Sequence, residues 1–117
     1  MELVAFLGND KESWGQISAL IKRAKWDKIL IVKNKEADDF PIENSETIKI
    51  NTNQPIALLK NEMVEKLREK LSGEFEIALS IASGNGKEHM AIISALLCIP
   101  VGIKLVAYTK DGVEFIN

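Results

Sequence analysis

The 117-residue chain holds one cysteine, Cys98, and one histidine, His89. That scarcity excludes a disulfide framework and the usual Cys/His zinc sites, so no metal and no cofactor is expected and the setting reads as reducing and cytoplasmic. Neither sign of charge dominates. Fifteen Lys plus Arg stand against 17 Asp plus Glu, a formal net charge of -2, which lacks the basic excess of a protein that coats duplex nucleic acid. No stretch approaches the roughly 18 apolar residues of a membrane span. The opening MELVAFLGND has a short apolar run behind an acid and no basic n-region, so it reads as a strand rather than a signal peptide. What is present is a 46% hydrophobic content. At this length about two-thirds of the unfolded surface can be buried, which is enough for a single domain over residues 1–117 and too little for two.

Leu3 to Leu7 is apolar and stops at Gly8. After the polar turn Asn9-Asp10-Lys11-Glu12, the residues Trp14, Ile17, Ile21 and Ala24 recur three or four apart and predict one face of a helix. Ile29-Leu30-Ile31-Val32, short and β-branched, predicts a buried strand. Lys33 to Ser45 is polar, contains Pro41 and predicts a loop. Thr47 to Ile50 predicts a short strand, and Asn51-Thr52-Asn53-Gln54-Pro55 a helix start with a capping side chain and a proline in the first turn. Ile56, Leu59, Met63, Leu67 and Leu71 then mark the clearest helix, ended by Gly73. Phe75 to Ile81 is the next strand, Ser83-Gly84-Asn85-Gly86 a tight turn, and Glu88 to Cys98 an apolar helix with Cys98 in the core, stopped before Pro100. Val101 to Tyr108 and Val113 to Ile116 close the chain as strands joined through Asp111-Gly112, a hairpin step. The order β-α-β-β-α-β-α-β-β predicts an α/β, Rossmann-like three-layer sandwich, its sheet of about six strands mainly parallel with a C-terminal β-hairpin. In such folds ligands lie beyond the carboxyl ends of the strands, which directs attention to the turns after Leu7 and Ile81.

The turn Ser83-Gly84-Asn85-Gly86-Lys87-Glu88 places small residues, an amide and a cation at a helix N-terminus. Glycines let backbone N–H groups approach an anion, and the helix dipole with Lys87 adds positive potential. Asn85 and Glu88 also have capping-box spacing, so part of the pattern serves equally to start the helix. A Walker A loop fails because Ile81 and Glu88 stand where Gly and Ser or Thr are needed. A dinucleotide fingerprint fails because His89 replaces its third Gly. The other turn, Gly8-Asn9-Asp10, offers an amide and a carboxylate with Ser13 and Trp14 one turn on, and reads either as a polar cap with Trp14 in the core or as a ribose- or base-contacting loop. His89 and Cys98 fall on opposite faces of one helix and cannot form a dyad. The basic cluster Lys22 to Lys28 reads as a solvated helix end.

Two segments carry a resemblance that extends over the whole chain. Leu3-Val4-Ala5-Phe6-Leu7-Gly8-Asn9-Asp10 and Ile77-Ala78-Leu79-Ser80-Ile81-Ala82-Ser83-Gly84-Asn85-Gly86-Lys87-Glu88-His89-Met90 resemble the two site-forming segments of the CARF domain, the CRISPR-associated Rossmann fold of antiviral defence. The resemblance implies a homodimer that senses cyclic oligoadenylate, with Gly8, Asn9 and Asp10 lining the site from one side and Ser83, Gly84, Asn85, Gly86 and Lys87 from the other. Family loops often pair their glycines, whereas Asn85 separates Gly84 from Gly86 here. Two alternatives stand beside a sensor. One is a metal-independent ring nuclease in which Lys87 stabilises developing charge and Ser13 or Asn9 orients the ribose. The other is an α/β subunit with no nucleotide ligand. With the chain ending at Asn117, no effector module is expected, so the domain would act through another protein or on the ligand itself.

Overall fold

The computed structural model describes residues 1–40 and 44–117, so Pro41 of the expected loop lies outside the described residues. Strand β1 (Glu2–Leu7) is buried along its whole length. Its side chains do not alternate between apolar and polar because both faces of the sheet are covered at that position. Val4 and Phe6 pack with α2 (Ile56–Lys70) and α3 (Gly86–Cys98), while Leu3, Ala5 and Leu7 pack with Ile17 and Leu20 of α1 (Trp14–Arg23). Two helices on one face and one on the other give the layers.

The remaining strands are β2 (Lys28–Asn34), β3 (Glu46–Ile50), β4 (Glu76–Ser80), β5 (Gly102–Thr109) and β6 (Gly112–Phe115). They form one sheet in the order β3-β2-β1-β4-β5-β6. Four pairings are parallel and only β5 with β6 is antiparallel, closed by Gly112 at φ +104°. A mostly parallel six-stranded sheet with three helices is consistent with the expected Rossmann-like architecture. No helix among the described residues is long and apolar enough to cross a membrane.

Four local expectations need correction. Lys33 belongs to β2 rather than to the loop, and its side chain is 1% exposed. Burial is tolerated because its ammonium donates to the carbonyls of Ala37 (2.6 Å) and Asp38 (3.0 Å) and to the Asp39 carboxylate (3.0 Å), folding the following loop back over the strand end. Helix α2 has Pro55 at its N-cap with no capping side chain; the extended proline backbone itself accepts from Leu59 N–H. That helix stops at an extended Leu71, two residues before Gly73, whose φ is +91°. Cys98 is exposed rather than core, because the helix is apolar on both its inner and outer sides.

Lys33→Ala is expected to lower stability by about 2 kcal/mol or more, since it orphans two carbonyls and removes a charged donor. Lys35→Ala, at an exposed position, stays within about 0.5 kcal/mol. Urea unfolding of both variants measures the difference.

Candidate functional site

β1 and β4 are parallel neighbours, with Ala5 opposite Ser80. The chain leaves β1 toward α1 on one face and β4 toward α3 on the other, so their loops part at the point where a crevice opens. Three hydrogen bonds hold these loops together. Gly8 N–H donates to Ser83 Oγ at 2.8 Å, the Ser83 hydroxyl donates to Asp10 Oδ1 at 2.9 Å, and Gly84 N–H donates to the same oxygen at 3.1 Å. Trp14 Nε1 donates to the Gly8 carbonyl at 3.0 Å, and His89 Nε2 lies 2.7 Å from the Ser83 carbonyl, which fixes that nitrogen as the protonated one. Ser13 closes the first loop through its backbone N–H (2.9 Å) and hydroxyl (2.7 Å) on the Asp10 carbonyl.

Both glycines of this clamp are there for close approach. A Cβ on Gly8 would lie 2.6 Å from Gly84 Cα and from Asp10 Oδ1. A Cβ on Gly84, whose φ is +102°, would lie 2.7 Å from the Phe6 ring. Gly86 is different: open space surrounds its Cβ direction. At α3 the capping box forms, with Asn85 Oδ1 accepting from Glu88 N–H and Glu88 Oε1 accepting from Asn85 N–H, both at 2.9 Å. The helix-starting role of this pattern is therefore real. It leaves the N–H groups of Gly86 and Lys87, in the first turn of α3, without an intramolecular hydrogen bond among the described residues.

Asn9, Asp10, Gly84, Asn85 and Glu88 line a cleft of about 280 Å³. Six of the eight residues expected from sequence thus lie together: Asn9 exposed at the rim, Asp10 and Gly84 in the clamp, Asn85 in the cap, and Gly8 buried beneath them with Ser83. Lys87 is exposed and its ammonium reaches sideways to the Thr52 carbonyl at 3.0 Å, on the loop before α2. Thr52 is thus a neighbour of the site that sequence reasoning missed, since 35 residues separate it from Lys87. The basic cluster 22–28 belongs to the opposite end of the sheet, where Lys28 pairs in register with Glu2. Among the described residues no group of three or more His, Cys, Asp or Glu is placed to hold a metal ion. No protein-family model matches the chain, and no curated protein matches it.

Burial pushes the Asp10 carboxyl up, but hydrogen bonds from Ser13, Gly84 N–H and Ser83 outweigh it and hold the group below its ordinary 3.8. A depressed folded-state value stabilises the fold above the unfolded value and is lost as pH falls through the folded one. The clamp is therefore fully formed at neutral pH. Asp10→Asn is expected to cost about 1–3 kcal/mol at pH 7, with the gap to wild type closing below pH 3.8; urea unfolding at a series of pH values reads it. Gly8→Ala is expected to cost about 2–3 kcal/mol, whereas Gly86→Ala is neutral or stabilising by up to about 1 kcal/mol. Equal effects of the two alanines in the same assay would refute the assigned roles.

Proposed function

We propose that this chain is a nucleotide-binding module of the CARF type, acting in the cytoplasm, with a cyclic oligoadenylate shared between the clefts of two copies. The observation that carries the reading is the clamp itself. It pins two loops side by side at the carboxyl ends of β1 and β4 and leaves the α3 N-terminus open beside them. Phosphate oxygens suit the N–H groups of Gly86 and Lys87, which sit at the positive end of the α3 dipole next to the Lys87 ammonium. The Asp10 and Glu88 carboxylates repel phosphate, so the uncharged sugar and base belong on their side of the cleft, within reach of Asn9 and Asn85.

Size supports sharing. About 280 Å³ lies just under the ~300–1,000 Å³ of ordinary small-molecule sites, room for one nucleotide unit rather than for a ring. Binding is put before cleavage because the Ser13 hydroxyl, one of the two groups a ring nuclease would use to orient the ribose, is already on the Asp10 carbonyl; Asn9 and the exposed Lys87 ammonium serve either reading.

Calorimetry with cyclic tetra- and hexa-adenylate is expected to show saturable heat at micromolar protein, and its absence would sink the reading. Lys87→Ala weakens binding about tenfold, roughly 1.4 kcal/mol. Incubation in EDTA leaves the ring intact; linear products ending in 2′,3′-cyclic phosphate would instead establish the nuclease.

A further inference from the structure

On the α1 side of the sheet, Val106 and Tyr108 of β5 and Val113 of β6 pack in the cluster that holds Ile17 and Leu20 of α1. Residues directly opposite in an antiparallel pair point to the same side, so Phe115, opposite Val106, shares that face. It is 50% exposed there. Lys104, two residues before Val106, falls on the same face by strand alternation. The C-terminal end of α1 reaches this hairpin, where the Arg23 guanidinium lies over the Tyr108 ring at 6.0 Å.

The charge at that helix end has one sign. No acid occurs between Glu12 and Asp27, while Lys22, Arg23 and Lys25 are exposed and none is in an ion pair among the described residues. By contrast Lys11, Lys28, Lys33, Lys66 and Lys70 each have a carboxylate within 3.9 Å. Of the nearest acids, Asp27 is on the N-terminal amine and Glu114 on the Thr109 hydroxyl. Glu76, exposed at the start of β4, bounds the patch on its inner side. The negative end of the α1 dipole accounts for cations at this place. It does not account for their lack of a counter-charge or for the exposed ring beside them.

We infer that this face, made by the end of α1 and the β5–β6 hairpin, binds single-stranded nucleic acid, with phosphates on Lys22, Arg23, Lys25 and Lys104 and a base stacked on Phe115. The net charge of -2 does not oppose it, because at about 0.1 M salt charges more than roughly 10 Å away are screened. Tyr108 and Phe115 are diagonal neighbours across the strand pair, an aromatic surface that a base uses and a carboxylate does not. A duplex keeps its bases stacked inside, so it leaves the ring without a partner. An acidic protein is the weaker fit. The other exposed large apolar side chains lie elsewhere: Ile56 and Leu58 on α2, Met90 and Leu97 on α3, Phe75 beside Ile99, and Ile116 alternating to the far side. A folded partner would meet a single ring here and no apolar core. This face is across the sheet from α3 and does not depend on the nucleotide reading of the cleft.

Fluorescence anisotropy of the full chain with a short labelled oligouridylate tests the inference. Wild type is expected to bind in the roughly 1–100 µM range of charge-driven contacts, with log affinity falling against log salt at a slope of about -2 to -3, roughly 0.7 per phosphate. The double variant Lys22→Ala, Lys25→Ala, altered only at exposed positions, is expected to bind at least about tenfold more weakly and to flatten the slope by about 1.4. Phe115→Ala is expected to bind at least about fivefold more weakly with the slope unchanged, and Phe115→Trp, which keeps a ring in the hairpin, to restore binding. No binding by wild type, or unchanged affinity in the lysine and Phe115→Ala variants, overturns the inference. So does displacement of the oligouridylate by cyclic tetra-adenylate, which puts it in the cleft. Oligoglutamate bound as tightly as oligouridylate, with Phe115→Ala silent, overturns it in favour of an acidic protein segment.

Discussion

One carboxylate oxygen, Asp10 Oδ1, ties together elements more than 70 residues apart in sequence. It accepts from Ser83 and from Gly84, and through them it fixes where β1 and β4 end relative to each other. The neighbouring contacts presuppose that closure. Trp14 reaches the Gly8 carbonyl and His89 the Ser83 carbonyl, so the starts of α1 and α3 are both referred to the same two loops. A serine hydroxyl that accepts from Gly8 and donates to Asp10 uses its donor and an acceptor at once, which is why Ser83 can be fully buried without penalty.

The closure also limits the chemistry. Loop N–H groups that sequence inspection offers to an anion are largely spent: those of Gly8 and Gly84 go to the clamp and that of Asn85 to Glu88, while the exposed Lys87 ammonium has one of its three donors on Thr52. What stays open is the first turn of α3, and the carboxylates of Asp10 and Glu88 stand close by. A site with positive potential at one end and negative charge at the other discriminates by orientation more than by total charge. On the proposed reading, this is why the ligand is taken to be a nucleotide, anionic at the phosphate and neutral at the base, rather than a bare polyanion.

The fold was readable to the extent that burial was two-sided. Leu3 to Leu7 and Ile29 to Val32 are uninterrupted apolar runs because helices cover both faces of their strands, and such runs are hard to mistake. Lys33 misled because a lysine normally marks a strand's end; its burial depends on carbonyls of a loop that folds back, a tertiary effect with no local signature. Cys98 misled for the opposite reason: an apolar residue in an apolar helix reads as core whether or not anything covers it. At the site, the capping box was legible because its partners are three residues apart, while the reasons for Gly8 and Gly84 were not. Gly84 reads as a phosphate-approach residue and Gly8 as part of a polar cap or a ribose- or base-contacting loop, and each proves to be where another part of the chain passes within contact distance.

Strand order decides which helix borders the cleft. With β4 inserted beside β1, the helix that leaves β4 starts at the crevice, and its outer side lies over the β4–β5 half of the sheet, where among the described residues no further helix follows. α2 covers one flank of α3 and the sheet covers its base. Beyond the exposed Lys87 of its first turn, its solvent side carries Met90 and Leu97 and no formal charge. Exposed apolar side chains scattered singly need no explanation, but these are aligned along a helix that carries no formal charge from His89 to Cys98. A constraint that only stabilised the monomer would favour lysine or glutamate on that stripe. Its apolarity is the part of the sequence that the monomer alone does not explain.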